Sequence, residues 1–362
     1  MSTTIMANYS YGADCFDDIP QVMGHYHVKK AVILGGKRAL AACQEALLAG
    51  LEKAGITVTG TFVYGTNSTQ TNIDKWSKEP AVLEADVVFG VGGGRALDTA
   101  KMVALQTGKS CFTVPTICSN CAAGTAIAVV YKDDGSLLHY GYPEAALHIF
   151  INTKVIAEAP DKYFWAGIGD GISKAPEVAH AVAAYLADGH SLNHTATLGA
   201  AIAASSKDAF YTYGPQGLLD VKANKDSKAV EEVALDILVT TGYASNLTNQ
   251  KDFYFNSAHA HAFYNATTSI PREGEHLHGA VVAFGTLVLH AYFGEEDELK
   301  RVMAFNKSLG LPVCLADIDL NQSHIPQIVE MAMKTNEYKH TPFDPDKYGE
   351  AIRKVDAMGS AL

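Results

Sequence analysis

Residues 86–101, "DVVFGVGGGRALDTAK", constrain the fold more than any other stretch of this chain. An apolar, β-branched run ends in three glycines and passes at once into a helical pattern. The same order recurs on both sides. "KKAVILGG" leads into "RALAACQEALLAGLEKAG", followed by "ITVTGTFVYG" and a helical stretch through "IDKWSKEPAVLEA"; after the glycines and their helix comes "SCFTVPT". Strands alternating with helices predict a parallel sheet with right-handed crossovers. "AIAVVYKDDGSLLHYGYP" then reads as a hairpin, two apolar runs joined by Asp133, Asp134 and Gly135.

From about Pro160 the texture changes. "SKAPEVAHAVAAYLAD", "TLGAAIAASSKDAFYTYG" and "KAVEEVALDILVTTGYASN" have helical spacing and little strand-like alternation. The expected organisation is an α/β nucleotide-binding domain with a parallel sheet over 1–158 and an all-α domain over 159–362. Ligands are expected in the cleft between them.

Composition narrows the partners. The net charge of −11, with no block of basic residues, argues against nucleic acid and anionic membrane, which both need clustered Lys and Arg. A small molecule is the expected partner. No run of about 18 apolar residues suggests a membrane span, and "MSTTIMANYSYGADCFDD" lacks the charged and apolar regions of a secretory signal. Six cysteines in 362 residues are too sparse for a disulfide scaffold, so a cytoplasmic setting is expected. Cys118 and Cys121 form C-x-x-C without a second pair, and read as buried or pocket-lining thiols.

Gly92, Gly93 and Gly94 follow a strand and open a helix, a turn that lets backbone N–H groups approach a pyrophosphate at the positive helix end. The fingerprint G-x-G-x-x-G is absent here and at "LGGKRAL". Thr116 and Ser119 place hydroxyls just past the end of another strand, where α/β sheets bind ligands; turn hydrogen bonding is their other reading.

Four histidines stand in the second half as two H-x-H pairs, His259/His261 and His276/His278. On a helix, the members of such a pair project roughly 200° apart, so at most one of each faces a given ion. Far upstream, Asp170 in "IGDGISK" reads either as the N-cap of a helix starting there or as an oxygen ligand.

In order along the chain, "GGGRALDTAK", "VPTI", "GIGDGISK" and "HLHGAVVAFG" resemble the glycerol dehydrogenase branch of the metal-dependent, iron- or zinc-containing alcohol dehydrogenases. The likeness runs from about residue 30 to about residue 290. It implies the dehydroquinate synthase-like or glycerol dehydrogenase-like fold, with a nucleotide-binding α/β domain before a helical one. It also implies that Gly93, Gly94 and Arg95 meet the pyrophosphate with Asp98 beside it, and that Thr116, Ser119, Thr125, Ile127 and Tyr131 line the cofactor. The family's "AHA" and "HG" motifs select His259 and His278, which with Asp170 form the implied metal set and catalytic centre. Lys174 stands where iron-dependent members carry a further histidine. The three-ligand type usually carries zinc, although two His and a carboxylate also suit Fe(II).

Two departures from the family bear on substrate and cofactor. Where NAD-preferring relatives place an Asp, this chain has Gly36 followed by Lys37 and Arg38, which favours NADP(H) over NAD(H). Where glycerol dehydrogenases place a polyol-binding Asp, it has Cys121, as in a hydroxycarboxylate dehydrogenase branch; Arg95 and Lys174 are candidate cations for a substrate carboxylate. The expected activity is therefore NAD(P)-linked interconversion of a small 2-hydroxy acid or polyol with its carbonyl compound, the hydroxy acid being favoured. True glycerol dehydrogenase is the alternative and a dehydroquinate synthase-like lyase the remoter one. Family resemblance also implies a homo-oligomer, often an octamer.

Overall fold

The computed structural model describes residues 6–362; the first five, part of the segment read for a leader, lie outside the described residues. The chain forms two compact units, Met1–Phe164 with Leu219–Asn246, and Trp165–Leu218 with Leu247–Leu362. The helical half is therefore not one contiguous block from 159 onward. Leu219–Asn246 returns to the first unit.

In chain order the first unit contains β1 (Asn8–Tyr11), α1 (Ile19–Tyr26), β2 (Lys30–Gly35), α2 (Lys37–Lys53), β3 (Thr57–Val63), α3 (Gln70–Ser77) and α4 (Pro80–Glu84). There follow β4 (Val87–Gly92), α5 (Gly94–Thr107), β5 (Ser110–Pro115), β6 (Ala128–Tyr131), β7 (Leu137–Gly141), β8 (His148–Ile151) and α6 (Thr153–Ala157). Six strands make a parallel sheet in the order β1-β8-β5-β4-β2-β3, and β6–β7 form the expected antiparallel hairpin apart from it. β1 and β8 were not anticipated. Each has four residues, too few to display a period.

The strands alternate between two cores. Ala31 and Ile33 of β2 pack with Leu40, Leu47 and Leu51 of α2, whereas Val32 and Leu34 pack with Ile73, Trp76 and Val103 on the other face. A sheet buried on both faces explains why "AVIL" is apolar throughout rather than alternating.

The chain continues through α7 (Asp161–Ala187), α8 (His194–Lys222), α9 (Lys228–Leu235), α10 (Thr241–Thr248), α11 (His259–Thr267) and α12 (His278–Phe293). The last helices are α13 (Glu296–Leu309), α14 (Ile325–Ala332), α15 (Asn336–His340) and α16 (Pro345–Ser360). In the returning segment a π-helical turn, Asp236–Thr240, joins α9 to α10. Asn246 stitches that segment to the loop after β5: its Oδ1 accepts from Ala126 N at 2.7 Å and its Nδ2 donates to Gly124 O at 2.8 Å. Among the described residues no helix is long and apolar enough to cross a membrane.

Close helix packing in the second unit is set by glycines. A Cβ on Gly279 would lie 1.9 Å from Ala166 O of α7, and one on Gly285 would lie 2.4 Å from Ala260 O of α11. These two bare positions let α12 touch both helices. The consequence is local, because each helix carries one polar group of the same cluster.

Candidate nucleotide turn and metal centre

β2 and β4 are neighbours in the sheet, yet the chain leaves β2 toward β3 on one side and β4 toward β5 on the other. That reversal creates a crevice at their carboxyl ends, where open α/β sheets bind ligands. Both exits are glycine turns. Gly36 is the N-cap of α2 and Gly93 of α5, and neither helix start has a side-chain cap. Gly36 N donates to Val91 O at 3.0 Å, tying the turns together. Gly92 has φ +145°, which a side chain would oppose, and a Cβ on Gly93 would meet Ile117 at 2.4 Å. Two uncapped helix starts so close together leave N–H groups suited to an anionic ligand.

Around this turn lie several of the other expected residues. Arg95 is exposed on the first turn of α5, and its charge acts on the hydroxyls of Tyr64 and Tyr131, which burial pushes up. Thr116 N donates to Gly92 O at 3.2 Å, and the loop bearing Ser119 and Cys121 passes Gly94 at Asn120. Lys37 and Arg38 are exposed at the start of α2.

Asp98 and Lys101 of α5 are buried together. Lys101 is 1 % exposed, and its Nζ donates to Ala122 O, Thr125 O and Ile127 O at 2.9, 3.1 and 2.5 Å. Asp98 completes the bracket: Oδ1 lies 3.0 Å from that Nζ and Oδ2 accepts from Val129 N at 3.0 Å. Asp98 thus shapes the loop carrying Cys121, Thr125 and Ile127. No local pattern announces this, since the partners are backbone carbonyls over 20 residues away.

In the second unit, Asp170, His261 and His278 each offer a ligand atom, all within 4.8 Å of one another. The ring Nε2 of His278 lies 3.1 Å from Asp170 Oδ1, and that of His261 lies 3.6 Å from the same oxygen. Asp170 sits well inside α7, so its expected place at a helix start is corrected. His278 is the first residue of α12.

His259 does not join them. α11 begins at His259, so the two histidines of that pair do point to different sides, but it is His261 that meets Asp170 and His278. His259 is 2 % exposed and packs against Tyr292, Phe293, Phe343 and Tyr348 at 4.9, 4.9, 5.4 and 5.9 Å between ring centres. Neither ring nitrogen has a hydrogen-bond partner, and burial lowers its pKa to about 3. The motif could not separate the pair: residues 258–262 read "AHAHA", which contains "AHA" in two registers.

What selects His261 is Glu177, a residue that no local pattern singles out. It lies seven positions after Asp170 on α7, hence two turns along the same face. Its Oε2 takes the His261 Nδ1–H at 2.6 Å, while its Oε1 accepts from Ala258 N and His261 N at 2.8 and 2.9 Å. Ala258 cannot cap α11 itself, so a carboxylate from another helix does so and also orients the ring. With Nδ1–H given to Glu177, Nε2 is the ring nitrogen that faces Asp170.

The electrostatics favour a cation. Burial alone would raise Asp170 and Glu177, yet His278 and His261 hold the Asp170 carboxyl, and His261 with the backbone N–H of Ala258 holds the Glu177 carboxyl, well below the usual range. Burial would likewise neutralise His261, but Glu177 and Asp170 raise it. Two buried carboxylates sharing positive charge with imidazoles, three convergent donor atoms and a fixed tautomer fit a divalent ion. Lys174 is not a free charge here, because its Nζ donates to Asn256 O and Oδ1 at 2.7 and 2.8 Å. His276 is an anchor: its Nε2 lies 2.8 Å from Asp319 Oδ2.

Known proteins resemble the whole chain. Residues 7–149 match the iron-containing alcohol dehydrogenase family. Hydroxycarboxylate dehydrogenase A of Escherichia coli (strain K12) is 30% identical over 360 residues, covering 97% of this chain and 96% of that one. A glycerol dehydrogenase of Escherichia coli O6:H1 is 28% identical over 365 residues, with 97% and 95% covered. The crystal structure of glycerol dehydrogenase from Schizosaccharomyces pombe superposes with a TM-score of 0.84 at 25% identity, covering 100% of this chain and 92% of that one. The chain belongs to the iron-containing alcohol dehydrogenase family and is a dehydrogenase acting on CH–OH groups.

Proposed function

We propose that this protein reduces small 2-oxo acids to 2-hydroxy acids, and runs the reverse oxidation, with NADP(H) or NAD(H) and one divalent metal, zinc being preferred to iron. The observation that carries the reading is the convergence of Asp170, His261 and His278, with His261 held by Glu177. These three side chains would hold the metal. When bound, a divalent cation supplies Lewis acidity, lowering the pKa of a substrate hydroxyl and polarising the corresponding carbonyl. The role of the chain is to set that chemistry up: Glu177 fixes the His261 tautomer, and the close approach of α12 at Gly279 brings His278 to Asp170.

The cofactor would be held at the paired glycine turns, its pyrophosphate on the N–H groups at Gly93 and Gly94. Gly36 leaves no carboxylate to repel a 2′-phosphate, and exposed Lys37 and Arg38 favour one. Cys121 supports an acid over a polyol, since a neutral thiol does not repel a carboxylate; the hydroxycarboxylate dehydrogenase among the relatives supports the same choice.

The test is oxidation of NADPH and of NADH, in parallel, with 2-oxobutyrate, 2-oxoglutarate, dihydroxyacetone and glyoxal on metal-analysed protein. We expect turnover with a 2-oxo acid and a preference for NADPH. Turnover confined to dihydroxyacetone would make it a polyol enzyme instead.

A further inference from the structure

The connection between α11 and α12, which leads directly into His278, carries Arg272. Arg272 is half-buried, and its Nη1 is closed off from solvent without a hydrogen-bond partner. A guanidinium N–H in that position is costly, because it has given up water and received nothing in return. Burial works against the charge on Arg272, and Tyr264 and Asp319 act in its favour. Tyr264 stands edge-on to the His278 ring, 4.2 Å between centres, so one tyrosine both borders a metal donor and acts on Arg272.

Asp319 does not pair with this arginine. Its Oδ2 is engaged by Gly274 N at 3.0 Å and by His276 Nε2 at 2.8 Å, from a backbone with φ +54°. Those two bonds pin the loop on the C-terminal side of Arg272, and Ile270, 5 % exposed, anchors it on the other side. Arg272 is thus held on a tethered loop with an unused donor edge. The other cation considered in this unit, Lys174, is consumed by Asn256.

We infer that Arg272 is the specificity-determining residue that receives the substrate carboxylate. A planar guanidinium takes a carboxylate through two parallel N–H···O bonds, which would satisfy the orphan Nη1 and orient the adjoining carbonyl. This rests on the 2-oxo acid reading above and adds the group that enforces it. A site built around such a donor discriminates strongly against an analogue lacking the acceptor.

The experiment compares wild type with Arg272→Met and Arg272→Lys, using the full-length metal-loaded protein. Steady-state kinetics are measured on 2-oxobutyrate and on dihydroxyacetone, and calorimetry gives the affinity for oxamate, an unreactive carboxylate analogue, with cofactor present. For Arg272→Met we expect kcat/KM on 2-oxobutyrate to fall about 100-fold, mainly through KM, with less than about a threefold change on dihydroxyacetone and a parallel loss of oxamate binding. Arg272→Lys should fall between, because it keeps the charge and loses the fork. Equal losses on both substrates, or unchanged oxamate affinity, overturn the inference while leaving the 2-oxo acid reading in place. A wild type that reduces dihydroxyacetone but no 2-oxo acid overturns both.

Discussion

Glu177 holds His261 by its Nδ1 at 2.6 Å and by its backbone N–H at 2.9 Å, so one carboxylate fixes both the ring and the helix that carries it. The Glu177→Gln variant keeps the size but loses the charge and presents an amide where acceptors are needed. Metal affinity should fall about 10- to 100-fold, read by competition with a chromogenic chelator. Unchanged affinity would show that the ring is oriented without Glu177.

The two histidines of α11 separate cleanly by substitution. His261→Ala should abolish metal retention and turnover together. His259→Phe should leave metal content unaltered and keep or raise Tm, since the phenyl ring suits an aromatic surround in which neither imidazole nitrogen has a partner. Elemental analysis and thermal unfolding read both effects. Metal loss in His259→Phe would return the ligand role to His259.

Gly279 is the point where α12 touches α7. In Gly279→Ala the new Cβ would lie 1.9 Å from Ala166 O and 2.9 Å from the Asp170 Cβ, and neither backbone can yield without moving its helix. A stability loss of about 3 kcal/mol is expected, with weakened metal binding because His278 moves away from Asp170. Denaturant unfolding of the metal-free protein isolates the first effect. A loss below about 0.5 kcal/mol would mean that the two helices are not in contact there.

Asp236, on the π-helical turn, supplies a pH dependence. Burial raises its pKa from 3.8 to about 7, with Glu232 adding to the rise and Thr240 opposing it. The folded state therefore keeps a proton that the unfolded chain releases between those values. Its contribution is fully present below about pH 4 and is lost as pH rises toward 7, roughly 4 kcal/mol in all. Asp236→Asn should remove that slope, so the gap in unfolding free energy between variant and wild type should widen from pH 4 to 7. Parallel curves would place the carboxylate in a solvated setting.

Legibility differed by element. The long strands β2, β3, β4 and β5 were readable because each exceeds five residues and ends in a turn signal; β1 and β8 were not, being four residues each. The return of Leu219–Asn246 to the first unit was hidden, since its helices have the same period as their neighbours and only their partners differ. Asp170 and His278 were legible from glycine-flanked motifs. Glu177 and Lys101 were not, because they act on backbone groups brought near by folding.

The sequence by itself determined the glycine turns, the parallel sheet, the family and the rule that one histidine from each pair could serve. That rule follows from the 100° step of a helix, a local property. Which histidine of α11 faces Asp170 was decided only by tertiary structure. The rotation of that helix is set by a carboxylate from α7 at its start and by a bare Gly285 against Ala260, and neither contact leaves a trace in the local pattern "AHAHA".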